Sequence, residues 1–206
     1  NEEAISHYKM AIKLKPDFTQ AHYNLGVALV AEGKNEEAIS HYKMAIKLKP
    51  DYAQAHSNLG NYLVAEGKHE EAISHYKMAI KLKPSHANAY YNLGNALVAQ
   101  GKNEEAISHY KMAIKLKPDF AQAHSNLGAA LVAEGKNEEA ISHYKMAIEI
   151  NPDYTDAHYN LGAALFQAKM TEEAIGYFKE AIRIRPDFIE AHNNLKVAIS
   201  KLEKGP

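Results

Sequence analysis

Histidine is the residue of this chain best suited to chemistry, and most of its 12 copies recur every 34 residues. One series comprises His7, His41, His75, His109 and His143, and a second comprises His22, His56, His124, His158 and His192. Imidazole is a common ligand of transition metals. Members of the first series are one repeat apart, which stacked helix pairs place at around 10 Å, too far to share an ion at bonds of ~2.0–2.1 Å. We therefore expect structural histidines and no metal site.

Paired glutamates also recur, at 36–37, 70–71, 104–105 and 138–139. Two carboxylates can perform acid–base catalysis, but adjacent residues of a helix diverge and cannot converge on one substrate atom. The chain has no cysteine, which excludes thiolate nucleophiles and disulfides. It also has no Gly-rich phosphate-binding loop. We therefore expect neither an enzyme nor a cofactor.

A third series places one asparagine in each repeat, immediately before a leucine: Asn24, Asn58, Asn92, Asn126, Asn160 and Asn194. A primary amide is both a donor and an acceptor, so it can pair with the N–H and C=O of an extended peptide whatever the peptide's side chains are. The alternative is that these amides bond to their neighbours and keep the surface hydrated. We favour peptide binding.

The elements that position these residues follow from the period itself. Proline stands at positions 16, 50, 84, 118, 152 and 186, and a fixed period of this length indicates a stacked array. In the unit from Asp51 to Pro84, apolar residues at helical spacing predict two helices, A and B, joined by a turn at Gly67. Asp51 and Gln54 predict a capping box for helix A.

The spacing of Leu59, Gly60, Ala72, Tyr76, Ala79 and Pro84 resembles the signature of the tetratricopeptide repeat. The resemblance implies an all-α, right-handed superhelical solenoid of antiparallel helix pairs, with Gly60 allowing helix B to approach helix A closely. It divides the chain into a single array: a lone helix B at 1–18, full repeats at 19–52, 53–86, 87–120, 121–154 and 155–188, and a capping helix at 189–206. Lys196, Lys201 and Lys204 give that last helix a polar outer face.

The same resemblance places two variable positions of helix A on a concave groove. Tyr23, Ser57, Tyr91, Ser125 and Tyr159 fill one, and Val27, Asn61, Asn95, Ala129 and Ala163 fill the other. The asparagine series resembles that of the repeats of O-GlcNAc transferases, although no transferase domain is present. The predicted peptide-binding residues are therefore the asparagine series with Tyr23, Tyr91, Tyr159, Asn61 and Asn95. A clamp for acidic C-termini is less favoured, because Tyr23, Ser57 or Tyr91 stands where its lysine would be.

Charge and composition narrow the partners further. With 24 basic and 25 acidic residues the net charge is −1, so we expect neither nucleic acid nor an anionic membrane surface. No apolar run approaches the ~20 residues of a membrane span. A cytoplasmic location is the expectation, and the partner is expected to be a peptide or extended protein segment. The alternative is a structural or self-assembling array without a groove ligand.

The first helix bears on that alternative, and the identity of the copies bears on the origin of the array. We expect Ile5, Tyr8 and Ile12 to be partly exposed, which suggests end-to-end self-association through residues 1–15. Residues 33–51 and 101–119 are identical, as in a recently expanded or an engineered array.

Overall fold

The computed structural model describes residues 2–203, and within this range the chain forms twelve α-helices. Residue 1 and residues 204–206, which include Lys204 of the expected cap, lie outside the described residues. The helices are α1 (Glu2–Leu14), α2 (Thr19–Ala31), α3 (Asn35–Leu48), α4 (Ala53–Ala65), α5 (His69–Leu82), α6 (Ala87–Ala99), α7 (Asn103–Leu116), α8 (Ala121–Ala133), α9 (Asn137–Ile150), α10 (Thr155–Gln167), α11 (Thr171–Ile184) and α12 (Ile189–Glu203).

The chain divides into two compact units, residues 1–100 and residues 101–206. Even-numbered helices correspond to helix A and odd-numbered helices to helix B. In the first unit α2 packs on α3 and α4 packs on α5, and in the second unit α8 packs on α9 and α10 packs on α11. The expected all-α fold of antiparallel helix pairs is confirmed.

Close contact between helices A and B depends on a glycine, as the sequence predicts. A Cβ built on Gly60 would lie 2.6 Å from Cε1 of the Tyr76 ring, and one on Gly162 would lie 2.8 Å from the Phe178 ring. Both rings are buried, along with Leu59 and Leu63 of helix A. The ring therefore packs directly on the helix A backbone.

The A-to-B turn is closed by the predicted glycine. Gly67 has φ of +74°, and the Lys68 N–H donates to the Leu63 carbonyl at 2.7 Å, as in a Schellman motif. Lys169 occupies the same place after α10 and has φ of 64°, a left-handed conformation that costs a side-chain-bearing residue ~1–2 kcal/mol. The strain expected at this lysine is therefore present.

The capping box expected at Asp51 is wrong. Tyr52 precedes the first residue of α4, and no side chain caps the helix there. The turn is held instead by His56, whose Nε2 donates to the Pro50 carbonyl at 3.0 Å. This bond ties the first turn of the helix to the loop before it, but it leaves the N–H groups of that turn without a side-chain cap. The same bond recurs from His22, His124, His158 and His192 to the proline six residues before each.

Candidate peptide-binding surface

The asparagine series lies at the boundary between the core and the surface of each helix A. The next two residues of the helix are a buried leucine and a buried glycine for every member from Asn24 to Asn160. Each asparagine of the series is itself half-buried. This placement follows from helical geometry, because a residue next to the buried stripe is turned only partly towards water.

In the first unit, neighbouring side chains hold these amides. The Asn58 Nδ2 lies within donating distance of the hydroxyls of Tyr23 at 3.4 Å and Tyr42 at 3.5 Å. The Asn92 Nδ2 donates to the Asn61 Oδ1 at 2.8 Å, and the Tyr76 hydroxyl donates to the same oxygen at 2.8 Å. The amides are therefore oriented before any ligand arrives.

Burial further disfavours ionisation of the two tyrosines beneath these amides. Loss of solvation raises the pKa of Tyr42 and of Tyr76 well above the ordinary value of 10.0. Both hydroxyls stay protonated at neutral pH. Each can donate one hydrogen bond while accepting another.

Sequence reasoning missed one contributor to the surface, a glutamine four residues before the asparagine. The Gln20 Nε2 donates to the Asn24 Oδ1 at 2.9 Å, and the Tyr52 hydroxyl donates to the Gln20 Oε1 at 2.9 Å. Gln54 and Gln122 repeat this position. The i, i+4 spacing between glutamine and asparagine was the available signal.

In the second unit, the Asn194 Nδ2 donates to the Tyr159 hydroxyl at 3.1 Å. Asn126 and Asn160 are half-buried on α8 and α10. Asn193, next to Asn194, is exposed. A one-residue step along a helix turns the side chain by about 100°, so the two adjacent asparagines of α12 face different surroundings.

The variable position that includes the predicted tyrosines is less exposed than expected. Ser57 and Ser125 are buried, at 4% and 2% exposure, so the expectation that they face a ligand is wrong. Tyr23 is half-buried, with its ring centroid 4.8 Å from that of Tyr52. Tyr159 lies in the same way 4.8 Å from Phe188. Tyr91 is also half-buried. Packing against another aromatic ring accounts for part of the surface of Tyr23 and of Tyr159.

The second variable position is more open. Val27, Asn61 and Ala129 are exposed, and Asn95 and Ala163 are half-buried. These residues follow the asparagine by three positions, so they lie one turn further along the same face of helix A. Each unit therefore presents a strip made of this position and the asparagine series.

The sequence matches the TPR repeat family model over residues 1–31, 28–64, 60–101, 94–133 and 128–169, and the tetratricopeptide repeat model over residues 155–188. The chain belongs to the tetratricopeptide repeat family. It is a protein–protein interaction scaffold of a family that is typically non-catalytic. No curated protein matches the chain.

Solved structures of this family resemble the chain over most of its length. The TPR protein YrrB, described as having an unusual peptide-binding site, is 26% identical with a TM-score of 0.77, covering 92% of this chain and 97% of its own. MamA is 29% identical with a TM-score of 0.73, covering 79% and 95%. The first TPR of Spaghetti (RPAP3), bound to the HSP90 peptide SRMEEVD, is 29% identical with a TM-score of 0.56, covering 57% and 93%.

The tetratricopeptide repeats bring the two histidine series together, which sequence reasoning did not foresee. The Nδ1 atoms of His22 and His41 are 3.0 Å apart, and equivalent pairs join His56 to His75 at 2.9 Å and His124 to His143 at 3.0 Å. The constant separation of 19 residues between partners was the missed signal. Within residues 2–203, no group of three or more His, Cys, Asp or Glu side chains is arranged to hold a metal ion.

The first and last helices of the tetratricopeptide array differ from the expectations for them. Ile5 is buried, at 7% exposure, because α1 packs against α2, so the expected exposure of Ile5 is wrong. Tyr8 and Ile12 are half-buried. On α12 the expected lysines, Lys196 and Lys201, are exposed, but so are the apolar residues Val197 and Leu202. No helix within residues 2–203 is both long and apolar enough to cross a bilayer.

Proposed function

We propose that the asparagine series binds the backbone of an extended peptide or protein segment, along the helix A surface of each unit. Bonds between the amides and their neighbours are expected under the alternative too, so the observation that carries the proposal is the fixed orientation these bonds give the amides. The nitrogens of Asn58, Asn92 and Asn194 are already bonded to side chains of their own unit. Their oxygens lie on the opposite side of the amide, where they can accept a hydrogen bond from a ligand.

The bonding pattern assigns a complementary role to Asn61. Its Oδ1 accepts from both Tyr76 and Asn92, which uses both lone pairs of the oxygen. Asn61 is left with its NH₂ group to offer, and that group can donate to a peptide carbonyl. Acceptors at Asn58 and Asn92 and a donor at Asn61 together offer partners for both the N–H and the C=O groups of an extended backbone.

Backbone hydrogen bonds alone supply too little binding free energy, so we expect the bound segment also to contact side chains of this chain. Three hydrogen bonds at ~0.5–1.5 kcal/mol each give about 1.5–4.5 kcal/mol, whereas micromolar binding requires about 8 kcal/mol. The half-buried rings of Tyr23, Tyr91 and Tyr159 are the groups able to supply further contact area. Affinity is therefore expected to grow with the length of the segment.

The comparisons support peptide binding without naming the partner. YrrB is described as carrying a peptide-binding site, and the TPR of Spaghetti was solved with a bound peptide. That peptide, SRMEEVD, is acidic at its C-terminus. Here Tyr23, Ser57 or Tyr91 stands where a carboxylate-binding lysine would be needed, so we propose a different class of ligand. The asparagine series, similar to that of O-GlcNAc transferases, favours backbone recognition.

A peptide selection with two single variants tests this function. A peptide selected from a displayed library of random linear sequences is titrated by fluorescence anisotropy against the wild-type chain, Asn58→Ala and Asn194→Ala. Loss of one hydrogen bond is expected to weaken binding by about 2- to 13-fold in the variant whose unit holds the peptide. Replacing the peptide's amide hydrogens by methyl groups should weaken binding in the same way.

The chain supplies a matched control in Asn193→Ala. This substitution removes the same amide from the same helix as Asn194→Ala, but from an exposed position, and it should leave affinity unchanged. Equal affinity of all three variants for the peptide would contradict the asparagine mechanism. Failure to select any peptide would favour the alternative, an array without a groove ligand.

A further inference from the structure

Three repeats place two imidazole nitrogens at the spacing of metal ligands. In each of three histidine pairs the two Nδ1 atoms are 2.9–3.0 Å apart. We term these pairs histidine clamps: His22 with His41, His56 with His75 and His124 with His143. Two nitrogens bound to one ion at ~2.0–2.1 Å, with an angle between about 90° and 109°, are about 2.9–3.4 Å apart. We propose that each clamp binds one divalent transition-metal ion such as Zn²⁺, Ni²⁺ or Cu²⁺.

The hydrogen bond to proline prepares the helix A histidine as a ligand. The Nε2 of His22 and of His56 lies 3.0 Å from a proline carbonyl, and that of His124 lies 3.3 Å from one. A carbonyl only accepts, so the ring proton is on Nε2 and Nδ1 carries a lone pair. Metal-binding histidines commonly donate their second N–H to a backbone carbonyl, which fixes both the tautomer and the ring orientation.

The helix B histidine becomes the second ligand by moving one proton. Its Nδ1 donates to the lone pair of the helix A ring in the metal-free clamp. Transfer of that proton to its own Nε2, through water, leaves the ring neutral and frees a second Nδ1 lone pair. The helix A rings are buried, but those of His41, His75 and His143 are half-buried, so an ion can enter from solvent and keep water as further ligands.

The charged groups around each clamp are also repeated. Each helix B histidine interacts electrostatically with a glutamate four residues before it and with a lysine of the preceding helix B. These residues are Glu37 and Lys9 for His41, Glu71 and Lys43 for His75, and Glu139 and Lys111 for His143. The Lys111 Nζ is 2.7 Å from the Glu139 Oε1, and the Lys9 Nζ is 3.9 Å from the Glu37 Oε2. The glutamate and the lysine act on the helix B imidazole in opposite directions, so their effects on its charge partly cancel.

Two repeats lack a clamp and serve as internal controls. Tyr90 replaces the helix A histidine that would pair with His109, and Tyr177 replaces the helix B histidine that would pair with His158. The Nδ1 of His158 is buried without a hydrogen-bond partner among the described residues. Each of these repeats offers a single imidazole, so neither should bind an ion at the affinity of a clamp.

Metal titration tests the proposal. NiCl₂ or ZnCl₂ is added to the chain in a non-chelating buffer at neutral pH, with binding measured by calorimetry and the Tm by thermal unfolding. The wild-type chain should bind one ion for each of its three clamps and unfold at a higher temperature with the metal. The triple variant His41→Gln, His75→Gln, His143→Gln should bind about tenfold more weakly or worse. Its folding without metal is checked by circular dichroism.

His109→Gln provides the control, since Tyr90 stands at the helix A position where the other helix B histidines face His22, His56 or His124. Its stoichiometry, affinity and thermal shift should equal those of the wild-type chain. The proposal is overturned if millimolar metal gives neither heat nor a thermal shift. It is also overturned if His109→Gln weakens binding as much as one of the clamp substitutions made singly.

Discussion

Substitution of Gly60 by alanine probes the contact that holds helix A on helix B. The added Cβ would lie 2.6 Å from Cε1, 2.9 Å from Cζ and 3.0 Å from Cδ1 of Tyr76. These atoms belong to a ring that is only 2% exposed and whose hydroxyl is bonded to Asn61 at 2.8 Å. The ring cannot move away without losing both its packing and that bond.

The change in the free energy of unfolding caused by Gly60→Ala is the balance of two opposing effects. Overpacking of a well-filled core costs ~1–3 kcal/mol, whereas replacing glycine by alanine inside a helix gains ~0.5–1 kcal/mol. The expected net effect of Gly60→Ala is therefore a loss of up to about 2.5 kcal/mol in the free energy of unfolding, with a central value of about 1 kcal/mol. For a chain of this size, 1 kcal/mol corresponds to about 2–4 °C in Tm.

Urea and thermal unfolding followed by circular dichroism measure this loss, and Gly176→Ala is the matched control. Gly176 is also inside a helix, but a Cβ there would meet no atom within 4 Å. Its substitution should therefore stabilise the chain by ~0.5–1 kcal/mol. If both variants stabilise the protein equally, the Tyr76 ring yields freely and the close-approach argument is refuted.

Two further predictions concern protonation and backbone strain. Burial is the main cause that lowers the pKa of His41, His75, His124 and His143 below the ordinary 6.5. Below about pH 6.5 the unfolded chain therefore binds more protons than the folded chain, so the free energy of unfolding should fall as the pH drops. An equal Tm at pH 7 and pH 5 would contradict this prediction. Lys169→Gly should raise the free energy of unfolding by ~1 kcal/mol, because glycine adopts the φ of 64° without strain. Urea unfolding measures this change. A lower free energy of unfolding in the variant would show that the lysine side chain supplies a stabilising contact.

The sequence was sufficient to predict the helices, their pairing and the roles of Gly60 and Gly67. Hydrophobic spacing and a fixed period act locally, so comparing one repeat with its copies separates buried positions from exposed ones. The same comparison failed at Ser57, which varies as a ligand-contacting residue would but is buried. A one-dimensional pattern does not show whether a variable residue is exposed to a ligand or buried by packing.

The histidine pairs were missed for a related physical reason. Members of one series lie a full repeat apart, as His41 and His75 do, whereas His22 and His41 belong to different series of the same repeat. The contact between helices A and B brings residues 19 positions apart to hydrogen-bonding distance. Cross-helix contacts inside one repeat follow from the rotation of each helix about its axis, which the period does not specify.

The core and the candidate surface are coupled through one hydroxyl. Tyr76 packs on Gly60 with its ring and reaches Asn61 with its hydroxyl, so the residue that closes the helix pair also orients a surface amide. In the fifth repeat the ring is Phe178 and the equivalent of Asn61 is Ala163, so the hydroxyl and the amide are absent together. Tyr42 and Tyr144 keep the hydroxyl although Val27 and Ala129 stand at the position of Asn61. The Tyr42 hydroxyl lies instead 3.5 Å from the Asn58 Nδ2. A buried hydroxyl on helix B can therefore orient a surface amide of its own repeat or of the next one.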